Sequence, residues 1–591
     1  MTEYGRKLLQ AVEIDVDQCT RAYGSAPCAA VLGTTGARKC FNTRRTCQDP
    51  ANYNKASLTL RFARNQGGLP KGETVFPALR SVSTRPSTIN LSGIDAKQGP
   101  FGSRAEVTID IDDFTDADFI TDPYQAERVS GAAQADAVGY QPKDRGTFWG
   151  KLRARSYFLG RPLRVREGYV GQAWADMRTR HYVIAQIDGP DGTGGVSIRA
   201  RDILDLADNK KTVAPAPSVG QLSADMGAGD LAFTLAGTGS DYAASGRIVI
   251  GSEIMTYTRS GEAFTITARG VDGSEVAEHD AGDTVQQCLR YEGQTVHAVA
   301  NDLLTRAGVD ASFIPYSDWE DEGDRWAAAL RLTVTITEPT GVSALLGEIA
   351  LLGVYWWWDE VAQEIKYRVQ RPLDIGETYQ SATDDPGPTY PDAAHIVRES
   401  ARLDRPEDRR VSQAFMWHGI LNMADDIDNP SNYARLAVTL SDDDANKYNQ
   451  PRVRQMFTRW LGRAGDDSVA QSTTNRLVSR FADTPQVLSF TADAKDAARM
   501  ELGTLIEVYS RTITDETGAV LGQPMQVSAV EETVGGHSLK VTAETFSFVS
   551  RYGFITEDSR PDYDASSAAQ QAQGIYIGDS FADGTGPYRI F

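Results

Sequence analysis

Four of the chain's five cysteines fall between Cys19 and Cys47, with the spacing Cys-x8-Cys-x11-Cys-x6-Cys. No other feature limits the fold as sharply, because thiols this close in sequence either close loops on one another or converge on an inorganic centre. The opening "MTEYGRKLLQAVEIDVDQ" lacks the apolar core and small-residue cleavage site of a secretory signal. No apolar run is long enough to span a bilayer. The chain is therefore expected to fold in a reducing cytosol, where structural disulfides are rare and metal outweighs a covalent staple.

Zinc ligands usually come as knuckles two to four residues apart, and this stretch has none. Wider spacing points to separate loops reaching something larger than one ion, such as the corners of an iron–sulfur cube. Charge agrees with that reading. A 4Fe–4S core held by four thiolates is net negative, and burying net charge is costly without compensation. Between Cys19 and Cys47 stand Arg21, Arg38, Lys39, Arg44 and Arg45 and no Asp or Glu, in a chain of net charge -20. Gly24, Gly33 and Gly36 let the backbone turn and bring amide N–H groups near sulfur. Zinc, disulfides formed outside the cell and free thiols stay open at this point.

The remainder reads as an α+β, β-rich multidomain chain. Segments 57–62, 105–112, 163–170, 180–188 and 195–202 alternate apolar and polar residues between Gly, Pro and Asp punctuation, as strands do. "VAPAPSVG" (213–220) reads as a linker. Segment 247–258 and segment 263–270 read as two strands around "RSGE". Helices are expected over 295–308, stopped by Gly308, over 341–353 with Thr340 as N-cap, and over 472–482. A hairpin is expected at 354–370, carrying "YWWW", and another at 525–548 around Gly535-Gly536. The boundaries predicted are 1–62 (cysteine-rich segment), 63–212 (first β-rich domain), 213–290 (small β module), 291–410 (α+β), 411–555 (β-rich) and 556–591 (polar tail with an aromatic tip).

Other candidates are weaker. The acidic run from Asp110 to Asp122 lacks the glycine and terminal glutamate of an EF-hand and reads as a solvated loop. "DGPDGTGG" (188–195) precedes a strand rather than a helix, so it is a turn and no phosphate cradle. "YWWW" reads as a strand buried on both faces. Arg145, Lys151, Arg153, Arg155, Arg161, Arg164 and Arg166, among aromatics, suggest nucleic acid or a face for an acidic subunit. The strong negative charge disfavours tight nucleic-acid binding. The six histidines are scattered, Cys288 is unmarked as a nucleophile, and no catalytic motif is found. The chain is expected not to be an enzyme.

The block "DQCTRAYGSAPC…KCFNTRRTCQDPANYN" resembles the cysteine-rich segment of tail-tip (baseplate) hub proteins of long flexible-tailed bacteriophages and gene transfer agents, with lambda-type outer spacings of eight and six. Looser similarity covers 146–169, 201–218 and 501–532. The resemblance implies hub-type β-barrel and α+β domains and a 4Fe–4S cluster on Cys19, Cys28, Cys40 and Cys47, with zinc as the alternative. It implies a homotrimer in the virion tail tip, made in the host cytoplasm. Its partners would be the distal tail protein, the tape measure protein and a central fibre or spike, with DNA only in transit. Rival readings are an iron–sulfur redox protein and a zinc-stapled host-binding adhesin.

Overall fold

The computed structural model describes residues 7–546, except 32–33, 36–39, 66, 92–100, 123–145, 208–211, 238, 372–389, 392–395, 398, 442–446, 464, 494–499 and 533–537. The Gly535-Gly536 turn, the tail expected at 556–591, and Arg38, Lys39, Gly33, Gly36 and Arg145 lie outside the described residues. The contacts divide the chain into two units. One holds 1–87, 104–206 and 358–364; the other holds 88–103, 207–357 and 365–591.

In the first unit, strands β1 (Leu8–Cys19), β2 (Lys55–Ala63), β3 (Val75–Phe76), β4 (Leu79–Arg85), β5 (Glu106–Asp112), β6 (Pro162–Tyr169), β7 (Arg178–Asp188) and β8 (Gly195–Arg201) form one sheet. Its order is β3-β2-β1-β6-β7-β8-β5-β4. Residues 8–19, grouped with the cysteines on sequence grounds, thus run between two antiparallel partners, with Ile14 opposite Leu60 on one side and Leu163 on the other. Alternation decides which way each residue faces. Val12, Ile14 and Val16 enter a core with Leu60, Phe62, Ile109, Leu163 and Val165. Helix α1 (Phe148–Arg155), capped by the Thr147 side chain, adds Phe148, Trp149 and Leu152. Trp149 stacks on Phe62 at 5.5 Å.

The opposite face of β1 carries Glu13, Asp15 and Asp17, all buried. Buried carboxylates persist only when paired and hydrogen-bonded. Glu13 accepts hydrogen bonds from Arg61 at 2.9 Å, Arg164 at 2.7 Å and the Trp174 indole at 2.8 Å, with Arg166 at 3.0 Å. Asp15 takes a bidentate grip from Arg164, at 2.9 and 2.7 Å, and accepts from Thr59. The expected basic face is therefore partly an internal counter-charge: Arg164 and Arg166 neutralise β1. Lys151 and Arg155 do the same for Asp118, at 2.7 and 3.0 Å. Asp118 and Asp122 are buried, so the acidic run is not the solvated loop its composition implied. The 188–195 segment is a turn, its Asp191 accepting from the N–H groups of Thr193 and Gly195.

The second unit contains the small β module. Strands β9 (Val213–Ala214), β10 (Ala232–Thr234), β11 (Ser245–Ile250), β12 (Glu253–Ser260), β13 (Ala263–Ala268) and β14 (Gln286–Gln287) come first. Five of them pair in the order β10-β13-β12-β11-β14. Segment 247–258 is thus two strands turning at Gly251, whose φ of +58° needs glycine's freedom, and not one. Buried Glu253 gathers Arg269 and His279 at the module's centre.

Next come β15 (Leu289–Thr295), α2 (Val296–Arg306), α3 (Tyr316–Trp326), β16 (Arg331–Ile336), β17 (Thr340–Gly341) and α4 (Val342–Ala350). Thr295 caps α2 through its side chain. Thr340 does not cap α4: its backbone pairs with Ala214 of the expected linker, and Gly341 is the N-cap without a side-chain bond. The hairpin β18 (Val354–Asp359) and β19 (Glu364–Val369) follows, its tip 358–364 belonging to the first unit. "YWWW" is wholly buried; Tyr355 and Trp357 pack with Ile89 and Leu91, and Trp356 meets Tyr367.

Strands β20 (Tyr390–Pro391) and β21 (Arg402–Asp404) lie in a six-stranded sheet with β25 (Val487–Asp493), β26 (Leu505–Thr514), β27 (Val520–Glu532) and β28 (Ser538–Thr545). β22 (Gln413–Ile420), β23 (Tyr433–Leu440) and β24 (Val453–Phe457) form a separate sheet, order β23-β22-β24. Helix α5 (Asp466–Phe481) packs against β22 and β23 and starts six residues before the expected 472. Its acidic first turn, Asp466 and Asp467, suits the positive end of the helix dipole. The sheet's other face is apolar and open: Leu436 is 46%, Leu440 54% and Val453 52% exposed, around the stacked Phe415, Trp417 and Phe457.

Burial alone would raise the pKa of Glu13, but hydrogen bonds from Arg164 and Trp174 and the charge of Arg164 hold it at about 2, below the ordinary 4.5. A depressed carboxylate contributes stability above its unfolded pKa and loses it as pH falls through the folded one. The contribution is about 3 kcal/mol. Glu13→Gln is therefore expected to destabilise the protein by about that amount at pH 7. In urea titrations followed by tryptophan fluorescence, the gap to wild type should close between pH 4.5 and 2.

Candidate thiol centre

Cys19 is the last residue of β1, Cys28 follows a turn closed by its own N–H to Ser25 at 2.9 Å, and Cys40 and Cys47 bracket a short 3₁₀ turn, Arg44–Thr46. Cys19, Cys28 and Cys47 lie near enough to Cys40 to bear on its charge. The Cys40 thiol is pushed up to about 11 by burial and then by the negative charges that Cys47, Cys28 and Cys19 place near it, against an N–H from Asn42. Cys47 is raised by burial and by Cys19 and Cys28, against an N–H from Asp49 and the charge of Arg44. Four thiols that feel one another's charge occupy one neighbourhood. All five cysteines are unpaired, so no disulfide links them.

Among the described residues, no three His, Cys, Asp or Glu side chains stand close enough to ligate one ion. A donor set of four sulfurs suits a thiophilic metal centre, which Cys19, Cys28, Cys40 and Cys47 would hold. The group would supply four metal–thiolate bonds joining four loop positions.

The loop is tied to the sheet by polar contacts. Asp17, two residues before Cys19, accepts the Arg44 N–H at 2.6 Å and the Tyr157 N–H at 3.3 Å. Thr43 Oγ1 donates to the Arg155 carbonyl, and the Arg155 guanidinium lies 3.9 Å from the Phe41 ring centroid. Arg45 donates to the Arg153 carbonyl at 3.0 Å, and Arg44 lies over Tyr53. Tyr53 donates to the Gln18 carbonyl at 3.1 Å; burial and then Asp17 and Cys19 push its phenol up to about 12. Sequence reasoning singled out the four cysteines but missed Asp17, Asn42 and Asp49. A polar residue two positions after a cysteine was the available signal for the last two.

Cys288 lies apart in the second unit, buried, its thiol pushed up to about 12 by burial and the nearby Asp272. Little of it is thiolate at neutral pH.

No family model matches the chain, and no curated protein matches it. Among solved structures, it is similar to a tail protein from Neisseria meningitidis MC58, at 9% identity over 78% of this chain and 91% of that one, with a TM-score of 0.34. The 43 kDa tail protein of prophage MuSo2 from Shewanella oneidensis gives 10% identity over 79% and 97%, with a TM-score of 0.36. A prophage tail protein from Listeria monocytogenes EGD-e gives 11% over 84% and 92%, with 0.32. At these scores the likenesses establish no shared fold.

In the metal-free protein, Cys40 alkylation should follow its thiolate fraction. Peptide mass spectrometry after timed iodoacetamide exposure is expected to show Cys40 nearly unreacted at pH 8, with the rate climbing as pH approaches 11.

Proposed function

We propose that this chain is a structural component of a bacteriophage or gene-transfer-agent tail tip, a baseplate hub, whose cysteine block holds a 4Fe–4S cluster as a cross-link and performs no chemistry on a substrate. The observation that carries the reading is the block of four cysteines, Cys19, Cys28, Cys40 and Cys47, whose thiols lie near enough to bear on one another's charge. The hub-like character of the cysteine block supports it. Metal–thiolate bonds add folding energy to a segment too small to bury a core of its own.

In this reading three copies form a ring that closes the tail lumen, binds the distal tail and tape measure proteins and anchors a central fibre or spike. An acidic lumen wall suits DNA in transit, since a surface that repels phosphate lets the duplex pass without sticking. The open apolar face of the β23-β22-β24 sheet is where a second copy would pack. Its outward residues include no charge, and among the described residues β23 and β24 have no further strand partner. Exposed apolar patches and open edges are unfavourable in isolation and mark interfaces. No helix among the described residues is long and apolar enough to cross a membrane.

Anaerobically purified protein is expected to be brown and to contain about four iron and four sulfide per chain, with little zinc. Zinc in place of iron, or cystines in intact particles, would overturn the cluster assignment. Cys40→Ser should leave the protein insoluble or the particles tailless, as electron microscopy of lysates would show. Leu436→Asp combined with Leu440→Asp should abolish self-association in sedimentation velocity. Each surface change should cost the monomer no more than about 0.5 kcal/mol.

A further inference from the structure

Two polar residues, each two positions after a cysteine, tie that cysteine's loop to the neighbourhood of another. Asn42 donates its backbone N–H to Cys40 Sγ at 3.3 Å. Its side-chain Nδ2 donates to the Cys19 carbonyl at 3.3 Å, and its own carbonyl accepts the Cys19 N–H at 2.6 Å. The Asp49 backbone N–H lies near Cys47 and favours its thiolate. Asp49 Oδ2 accepts the N–H of Ala29, the residue after Cys28, at 2.8 Å, and an N–H of Asn52 at 3.0 Å.

We propose that Asn42 and Asp49 are positioning residues that set the four cysteines as two clasped pairs, Cys19 with Cys40 and Cys28 with Cys47, so that the frame for a four-thiolate centre stands before metal arrives. The inference rests on the iron–sulfur reading above. Each clasp spans a long loop: Asn42 reaches back 23 residues to Cys19, and Asp49 reaches back 20 to Ala29. Without such ties, binding a centre would have to order both loops and meet that entropy cost at the moment of binding. An N–H aimed at sulfur also favours the thiolate, the form a metal needs.

The two clasps differ in strength for a physical reason. Asn42 is buried, at 9% exposure, and sits at φ +58°, a left-handed conformation that asparagine tolerates better than most residues. Losing its side chain leaves the Cys19 carbonyl without that donor where water has poor access. Asp49 is only half-buried, so water can replace part of its contact. Asn42→Gly keeps the backbone conformation and the N–H to sulfur, and removes only the clasp to Cys19. Asn42→Ala adds backbone strain. Asp49→Asn keeps an oxygen to accept the Ala29 N–H, whereas Asp49→Ala does not.

The test uses full-length protein purified without oxygen. Iron and sulfide per chain are measured, then the rate at which an iron chelator bleaches the visible band; thermal unfolding after chelation serves as the control for the fold. Asn42→Gly is expected to bleach about tenfold faster than wild type, and Asp49→Ala faster than wild type by a smaller factor. Asn42→Ala should bleach fastest and Asp49→Asn near the wild-type rate, with unfolding of the chelated proteins unchanged by Asp49→Ala. Should Asn42→Gly fail to fold, the Asp49→Ala and Asp49→Asn pair decides alone. Equal bleaching by Asp49→Ala and wild type would overturn the clasps while the cluster assignment stood. Wild-type protein without iron or sulfide would overturn both.

Discussion

Glu13, Asp15 and Asp17 form a row of three carboxylates along one face of a strand that is flanked on both sides, and the sheet around them is organised by the need to neutralise that row. Arg61 comes from one neighbouring strand, and Arg164 and Arg166 from the other. A shift of either partner by one residue would turn its arginines toward the apolar core and leave the carboxylates bare. Register is thus fixed from both faces at once. The same row carries into the thiol centre, because Asp17 spends its carboxylate on the backbone of Arg44 and Tyr157.

The thiol segment itself has little apolar content to bury. Of its residues, Ala30 and Cys40 are the apolar ones in the described core. Its shape comes from hydrogen bonds to sulfur, carbonyl and carboxylate, and from arginines laid over Phe41, Tyr53 and Tyr157. Such contacts are individually modest in water-accessible surroundings. The segment therefore borrows rigidity from the end of β1 and from the residues after α1.

Local pattern in the sequence was a good guide wherever short-range physics decides. Alternation located β2, β5, β6, β7 and β8 to within about two residues. Thr295 and Gly308 framed a helix whose apolar stripe was plain, and the spacing of the cysteines singled out one neighbourhood of the fold. What escaped were pairings between residues far apart. Nothing local tells that Arg164 belongs to Asp15 or Arg155 to Asp118, so a basic run looked like an outer face and an acidic run like a solvated loop. Thr340 had the chemistry of a cap, but its backbone was taken by Ala214, more than a hundred residues away. The turn at Gly251 was missed because the apolar pattern continues through it.

Cys19 ends a strand paired with β2 from Ala11 to Cys19 and with β6 from Leu8 to Ile14. A tug on its sulfur along the strand axis would strain many crosswise hydrogen bonds together, instead of opening them one after another as a zipper does. Load entering through the thiol centre is consequently shared with both neighbouring strands. The segment that looks like a small appendage in the sequence is, in mechanical terms, the anchored end of a strand held along its edges.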